Sequence, residues 1–275
     1  KFTSIKDEID PMYRQIRTMV IDRDQNVWIG STFGFAKLSN GTFSYYPNSI
    51  KSNMFRVPIL YEDSQNNIWI VIKDEGVLKY DGSNFISINS LKSKTIQSIV
   101  EDVSGNIWLG TNGGISKYSG DAIVNFVQDN GMIDNSIRSI VEDDEGYLWF
   151  AGNTDGLSRF DGVHFLNFGK SQGLSTSMFW SLEKDDEGNL WLGSNSNELG
   201  SGLLKFDGRS FTTFSEDQGL PSGVIYFIRH DQNGSLYIAT SIGISIFDGK
   251  SFTNFSDKNG LVNNKVYCIT KDKNG

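Results

Sequence analysis

Arg17, Gln97, Arg138, Trp180, Tyr226 and Tyr267 are the residues whose types and spacing best suit binding chemistry. With Pro58 they occupy one position of a pattern that recurs every 39 to 46 residues. A guanidinium can fork onto a carboxylate or sulfate, and a Trp or Tyr ring can stack on a sugar. Catalytic chemistry has thinner support. Only two histidines are present, His164 and His230, and one cysteine, Cys268, so no intrachain disulfide can form. No G-x-S-x-G, H-E-x-x-H or C-x-x-C occurs. Paired acids such as Asp143-Asp144 and Asp185-Asp186 fall in turn-like segments. A calcium hand would need a longer loop and a later bidentate Glu. Glu183, on an otherwise apolar or cationic stretch, is the first suspect for acid–base work.

The elements that must position these residues are legible from the repeat. Six aromatic anchors, Trp28, Trp69, Trp108, Trp149, Trp191 and Tyr237, sit in runs such as VWIG, IWLG and LYIA. Six residues before each stands an aspartate: Asp22, Asp63, Asp102, Asp143, Asp185 and Asp231, and Asp272 continues the register. Each copy reads as four short strands. An apolar run (137–142) leads through an Asp/Gly turn to the anchor strand (147–152), then to 157–160, and through Asp161-Gly162 to 164–168. Asx-Gly dipeptides supply the positive φ that tight hairpins demand. No stretch sustains a helical period. A residue present in every copy is best read as packing between sheets, and the recurring aspartate as a turn former.

Four strands per 40 residues predict an all-β propeller with seven blade positions of four-stranded antiparallel sheets, six complete and one split between the termini. The blades are expected at about 14–46, 55–89, 95–127, 136–169, 178–215 and 224–256, as one domain over 1–275. Residues 1–6 and 265–275 would supply the split blade, and the chain reads as a segment of a longer protein. The column of Arg17, Gln97, Arg138, Trp180, Tyr226 and Tyr267 lies eleven residues before the anchors. It is expected to ring the mouth of the central channel. Asn112, Asn153, Asp155, Asn195 and Glu198 would join from loops on the same face.

The run D-x-x-G-N-[IL]-W-[IL]-G-T-x-x-G-[IL]-x-[KR]-[YF]-D-G-x-x-F resembles the two-component regulator propeller repeat. The nearest copies are Asp102 to Phe126, Asp143 to Phe165 and Asp185 to Phe211. Linkers such as Asp-Gln-Gly-Leu (217–220) fit the same pattern. The resemblance implies a non-catalytic, periplasmic sensor propeller of a bacterial two-component regulator. Its implied ligand is an oligosaccharide or a breakdown product, and its implied partner a second copy through the parent protein. Virginiamycin-type lyases are propellers with similar repeats, so a lyase or hydrolase is the alternative; His230 sits too near the turn end of its strand to favour it. A spacer or dimerisation module is a third reading. No cofactor or metal is expected.

The formal net charge of −8 disfavours nucleic acid as a partner. No apolar run approaches a membrane span, so no direct membrane insertion is expected of this segment. Blade two (Val71, Ile72), blade five (an insertion over 194–201) and blade six (Tyr237) depart from the pattern.

Overall fold

Alternating apolar residues, punctuated by Asp and Gly turns, fold here into six separate antiparallel sheets. The computed structural model describes residues 9–10, 13, 15–46, 56–120, 122–195, 201–221, 224–231 and 233–269. The first sheet holds β1 (Ile16–Ile21), β2 (Val27–Ser31), β3 (Phe35–Ser39) and β4 (Thr42–Tyr46). The second holds β5 (Ile59–Glu62), β6 (Ile68–Ile72), β7 (Gly76–Tyr80) and β8 (Phe85–Ile88). The third holds β9 (Ile96–Glu101), β10 (Ile107–Thr111), β11 (Gly114–Ser119) and β12 (Ala122–Phe126). The fourth holds β13 (Ile137–Glu142), β14 (Leu148–Gly152), β15 (Leu157–Phe160) and β16 (Phe165–Phe168). The fifth holds β17 (Phe179–Lys184), β18 (Leu190–Ser194), β19 (Leu203–Phe206) and β20 (Phe211–Phe214). The sixth holds β21 (Ile225–His230), β22 (Leu236–Thr240), β23 (Gly243–Phe247) and β24 (Phe252–Phe255). Every sheet is a simple meander in sequence order. The helical turns among the described residues are three-residue 3-10 turns in linkers, such as Gln128–Asn130 and Lys170–Gln172.

Two compact units divide the chain. Unit 1 is residues 1–109 with 116–125, and unit 2 is residues 110–115 with 126–275. In unit 1, Trp28, Phe35, Val57, Leu60 and Ile70 form the core between the first two sheets. Trp69, Val71, Ile96 and Ile107 form the next seam. In unit 2, Trp149, Phe179, Leu192 and Phe206 fill the seam between the fourth and fifth sheets. Trp191, Ile225, Ile238 and Phe247 fill that between the fifth and sixth. Trp28, Trp69, Trp149 and Trp191 thus pack forward onto an aromatic of the following blade. Trp28 meets Tyr80 at 5.2 Å, Trp149 meets Phe206 at 5.5 Å and Trp191 meets Phe247 at 5.7 Å.

The recurring spacing of aspartate and anchor has one cause. Each indole Nε1 donates to the aspartate six residues earlier: Trp28 to Asp22 (2.8 Å), Trp69 to Asp63 (2.8 Å), Trp108 to Asp102 (2.7 Å), Trp149 to Asp143 (2.6 Å) and Trp191 to Asp185 (2.7 Å). The other carboxylate oxygen takes backbone N–H groups of the turn, as Asn26 N does at 2.8 Å and Asn189 N at 2.8 Å. Burial pushes the Asp22 and Asp185 carboxyls up, but donation from Asn and Trp side chains outweighs it and holds both below the ordinary value. Opposite the anchors across the hairpin, Lys37, Arg159 and Lys205 lay their cations over Trp28, Trp149 and Trp191.

The small residue two after an anchor is required by close approach. A Cβ on Gly193 would lie 2.5 Å from Ile225 Cγ2, and one on Gly30 would lie 2.8 Å from Val57 Cγ1.

Residues 1–6, expected as the outer strand of a split blade, lie outside the described residues. Of its expected inner strand, residues 265–269 are described and carry no strand, although Val266 N donates to Thr240 O at 3.2 Å.

Candidate functional site

The variable column owes its freedom to a backbone irregularity. In β13 the pairing runs Ile137↔Gly152 and then Ser139↔Ala151, which leaves Arg138 as an extra residue in a β-bulge. The same break falls at Trp180 in β17, Tyr226 in β21 and Arg17 in β1. A bulged residue stands outside the ladder and its side chain is re-aimed. Its identity therefore does not affect register. In unit 2 the apolar residue just before it is buried, with Ile137, Phe179 and Ile225 no more than 1% exposed, whereas Ile16 in β1 is 40% exposed.

In unit 2 the first strands are laced together. Leu182 N donates to Ser139 Oγ at 3.2 Å, and Ile228 N to Ser181 Oγ at 2.9 Å. The bulged side chains consequently meet. The Arg138 guanidinium lies 5.5 Å from the Trp180 ring centroid. Trp180 stacks on Tyr226 at 5.3 Å and 29°, and Tyr226 packs on Tyr267 at 5.0 Å and 34°. Lys265 Nζ completes the line, 5.8 Å from the Tyr226 ring and 5.4 Å from that of Tyr267. Half-burial draws the Arg138 pKa down. Donation to Tyr267, with the phenols nearby, holds the Lys265 ammonium up. Arg138, Trp180, Tyr226 and Tyr267 are thus brought together. Arg17 and Gln97 are in unit 1, each on its own first strand. Arg17 is exposed and its Nε donates to Thr32 Oγ1 at 3.2 Å; Gln97 is half-buried.

Asn153 fixes the array. Its Oδ1 accepts from Arg138 Nε at 3.2 Å and from Trp180 Nε1 at 3.1 Å, so one amide oxygen sets two side chains on neighbouring blades. Its own backbone is tied down, since Asn153 N donates to Ser136 O at 2.9 Å. Asp134, only 3% exposed, anchors the loop by accepting from Ser136 N, Thr154 N, Thr154 Oγ1 and Asp155 N at 2.7 to 3.1 Å. Sequence reasoning named Asn153 as a loop contact but missed Asp134. An acid at this linker position, present in this copy alone, was the available signal. Asn195 N bonds Met178 O at 3.0 Å, and Asn112 is exposed. Glu198 lies outside the described residues.

The catalytic suspects sit elsewhere. Glu183 is three residues along β17 from Trp180, about 10 Å at strand rise. Burial raises its pKa, and Oε1 accepts from His230 N at 3.0 Å. His230 Nδ1 is 3.8 Å from Asp186 Oδ1, one of a series of seam contacts at the turn end. Lys184 with Asp144 is another. In unit 1 the same position is acidic, and Glu62 and Glu101 accept from Arg23 N (2.9 Å) and Ser64 N (2.6 Å). His230 therefore reads as part of a seam. His164 is exposed in an outer turn, 3.8 Å from Asp161. Among the described residues no group of three or more His, Cys, Asp or Glu is placed to hold a metal.

Six four-stranded antiparallel meanders with forward-packing anchors define an all-β propeller fold. Residues 90–113, 131–154 and 173–196 match the two component regulator propeller family, so three copies carry its repeat. The second matched stretch brackets both Arg138 and Asn153, the loop residue that accepts from it. A histidine kinase P4 of Formosa agariphila is 30% identical over 117 residues, 38% of this chain and 8% of that protein. The extracellular domain of a hybrid two-component system from B. thetaiotaomicron superposes with a TM-score of 0.78 at 23% identity, over 94% of this chain and 37% of that one. Virginiamycin B lyase from Staphylococcus aureus superposes at 0.72 with 14% identity, over 92% of this chain and 87% of that one. The chain thus spans well under half the length of the two regulator chains just described. No helix among the described residues is long and apolar enough to cross a membrane.

Proposed function

We propose that this chain is a non-catalytic, ligand-sensing propeller of a bacterial two-component regulator, exposed to the periplasm, and that it binds a carbohydrate or its breakdown product at Arg138, Trp180, Tyr226 and Tyr267. The observation that carries the reading is the continuous array on successive β-bulges, locked by Asn153. Trp180 and Tyr226 stack on each other, so a ligand would meet ring edges, phenol hydroxyls and the guanidinium, beside the exposed ring of Tyr267. Arg17 and Gln97 remain candidate contacts on their own strands. Pairing of two copies would run through the parent protein.

Glu183 supports a second reading, a hydrolase or lyase, because a carboxyl raised by burial beside His230 suits general acid chemistry. One screen separates the two. Acidic and neutral oligosaccharides are tested by thermal shift and calorimetry, with and without divalent metal. Binding without turnover, abolished in Arg138→Ala/Trp180→Ala, supports the sensor. Product formation lost in Glu183→Gln supports the enzyme. Unchanged affinity in the double variant rejects the site.

A further inference from the structure

In unit 1 one linker has lost a turn. Between the fourth strand and the buried Met or Leu that follows, the later linkers carry five residues, including the 3-10 turns Gln128–Asn130, Lys170–Gln172 and Glu216–Gln218. The linker after β8 carries two, Asn89 and Ser90, before Leu91. The remainder keeps its register. Ser90 takes the left-handed φ of 67° that Gly131, Gly173 and Gly219 adopt elsewhere. Its carbonyl accepts from Asn125 Nδ2 at 3.0 Å, as that of Gly131 accepts from Asn167 Nδ2 at 2.8 Å. The turn is therefore excised without moving its flank.

A space results. The glycine that opens the third strand is elsewhere pressed against the end of the fourth: a Cβ on Gly114, Gly156, Gly202 or Gly243 would lie 2.1 to 2.3 Å from a Phe carbonyl. At Gly76 nothing comes within 4 Å. The cleft there holds about 160 Å³ and has Ile72, Val77 and Leu91 on its floor, with Glu75, Asn89 and Lys94 at its rim. Neither Glu75 nor Lys94 has an ion-pair partner among the described residues.

We propose that this cleft binds a free α-amino acid with an apolar side chain. The side chain would rest on the floor, the carboxylate on Lys94 and the ammonium on Glu75. The volume is below the roughly 300 Å³ of sites for larger ligands, which disfavours an oligosaccharide. The site is independent of the bulge array.

The test is an amide NMR titration of the 275-residue chain with L-leucine. Saturable shifts confined to Gly76 and residues 87–94 at millimolar ligand are expected. Lys94→Gln and Glu75→Gln should each weaken binding about tenfold, and Arg138→Ala should leave it unchanged. Absence of saturable shifts, shifts centred elsewhere, or full affinity in both rim variants would overturn the proposal.

Discussion

The turn end and the bulge end of a blade obey different rules. At the turn end Trp191 is held by Asp185, covered by Phe247 and capped by Lys205, and the same constellation recurs at Trp28, Trp69 and Trp149. At the bulge end Arg138, Trp180 and Tyr226 share a position and almost no chemistry. Where side chains mortar one sheet to the next, the repeat tolerates little. Where a residue is excused from the ladder, each blade carries its own.

The sharpest way to break this comparison is one tryptophan from each end. Trp191→Ala empties a seam and is expected to cost about 3–5 kcal/mol by urea denaturation. Trp180→Ala removes the same volume from a half-buried bulge and is expected to cost about 1 kcal/mol. Equal losses would erase the distinction. A subtler probe is Trp191→Phe, which keeps the packing but strips the indole N–H from Asp185. It is expected to cost about 1–3 kcal/mol. The Asp185 pKa is depressed in the folded chain, so the native link contributes fully above the unfolded value and fades as pH falls through the folded one. The gap between wild type and Trp191→Phe should therefore narrow on acidification.

The smallest expected effect is at Glu183, the residue between the two ends. Its folded pKa is raised, so its charge opposes folding above that pKa and not below the unfolded one. Glu183→Gln should raise the melting midpoint slightly at neutral pH and leave it unchanged at acid pH. A uniform shift would place the effect in packing instead.

Much of the fold was legible because short-range chemistry writes it. The strands proposed at 137–142 and 157–160 coincide with β13 and β15, since apolar runs and Asp-Gly turns are local signals. The fixed spacing from aspartate to tryptophan was visible too, yet turn and anchor were read as separate devices. Only the coordinates join them in one hydrogen bond. The bulge left no mark of its own, because an unpaired residue is defined by the opposite strand. Mutual stacking of Trp180 and Tyr226 was likewise hidden, as it depends on how two blades abut.

The bulge also separates two kinds of inheritance. A change at Arg138, Trp180 or Tyr226 alters the chemistry of the proposed site while the register of its strand stays set by the neighbours on either side. If the proposed site binds its ligand as described, preference would drift, or be engineered, blade by blade on an unaltered chassis.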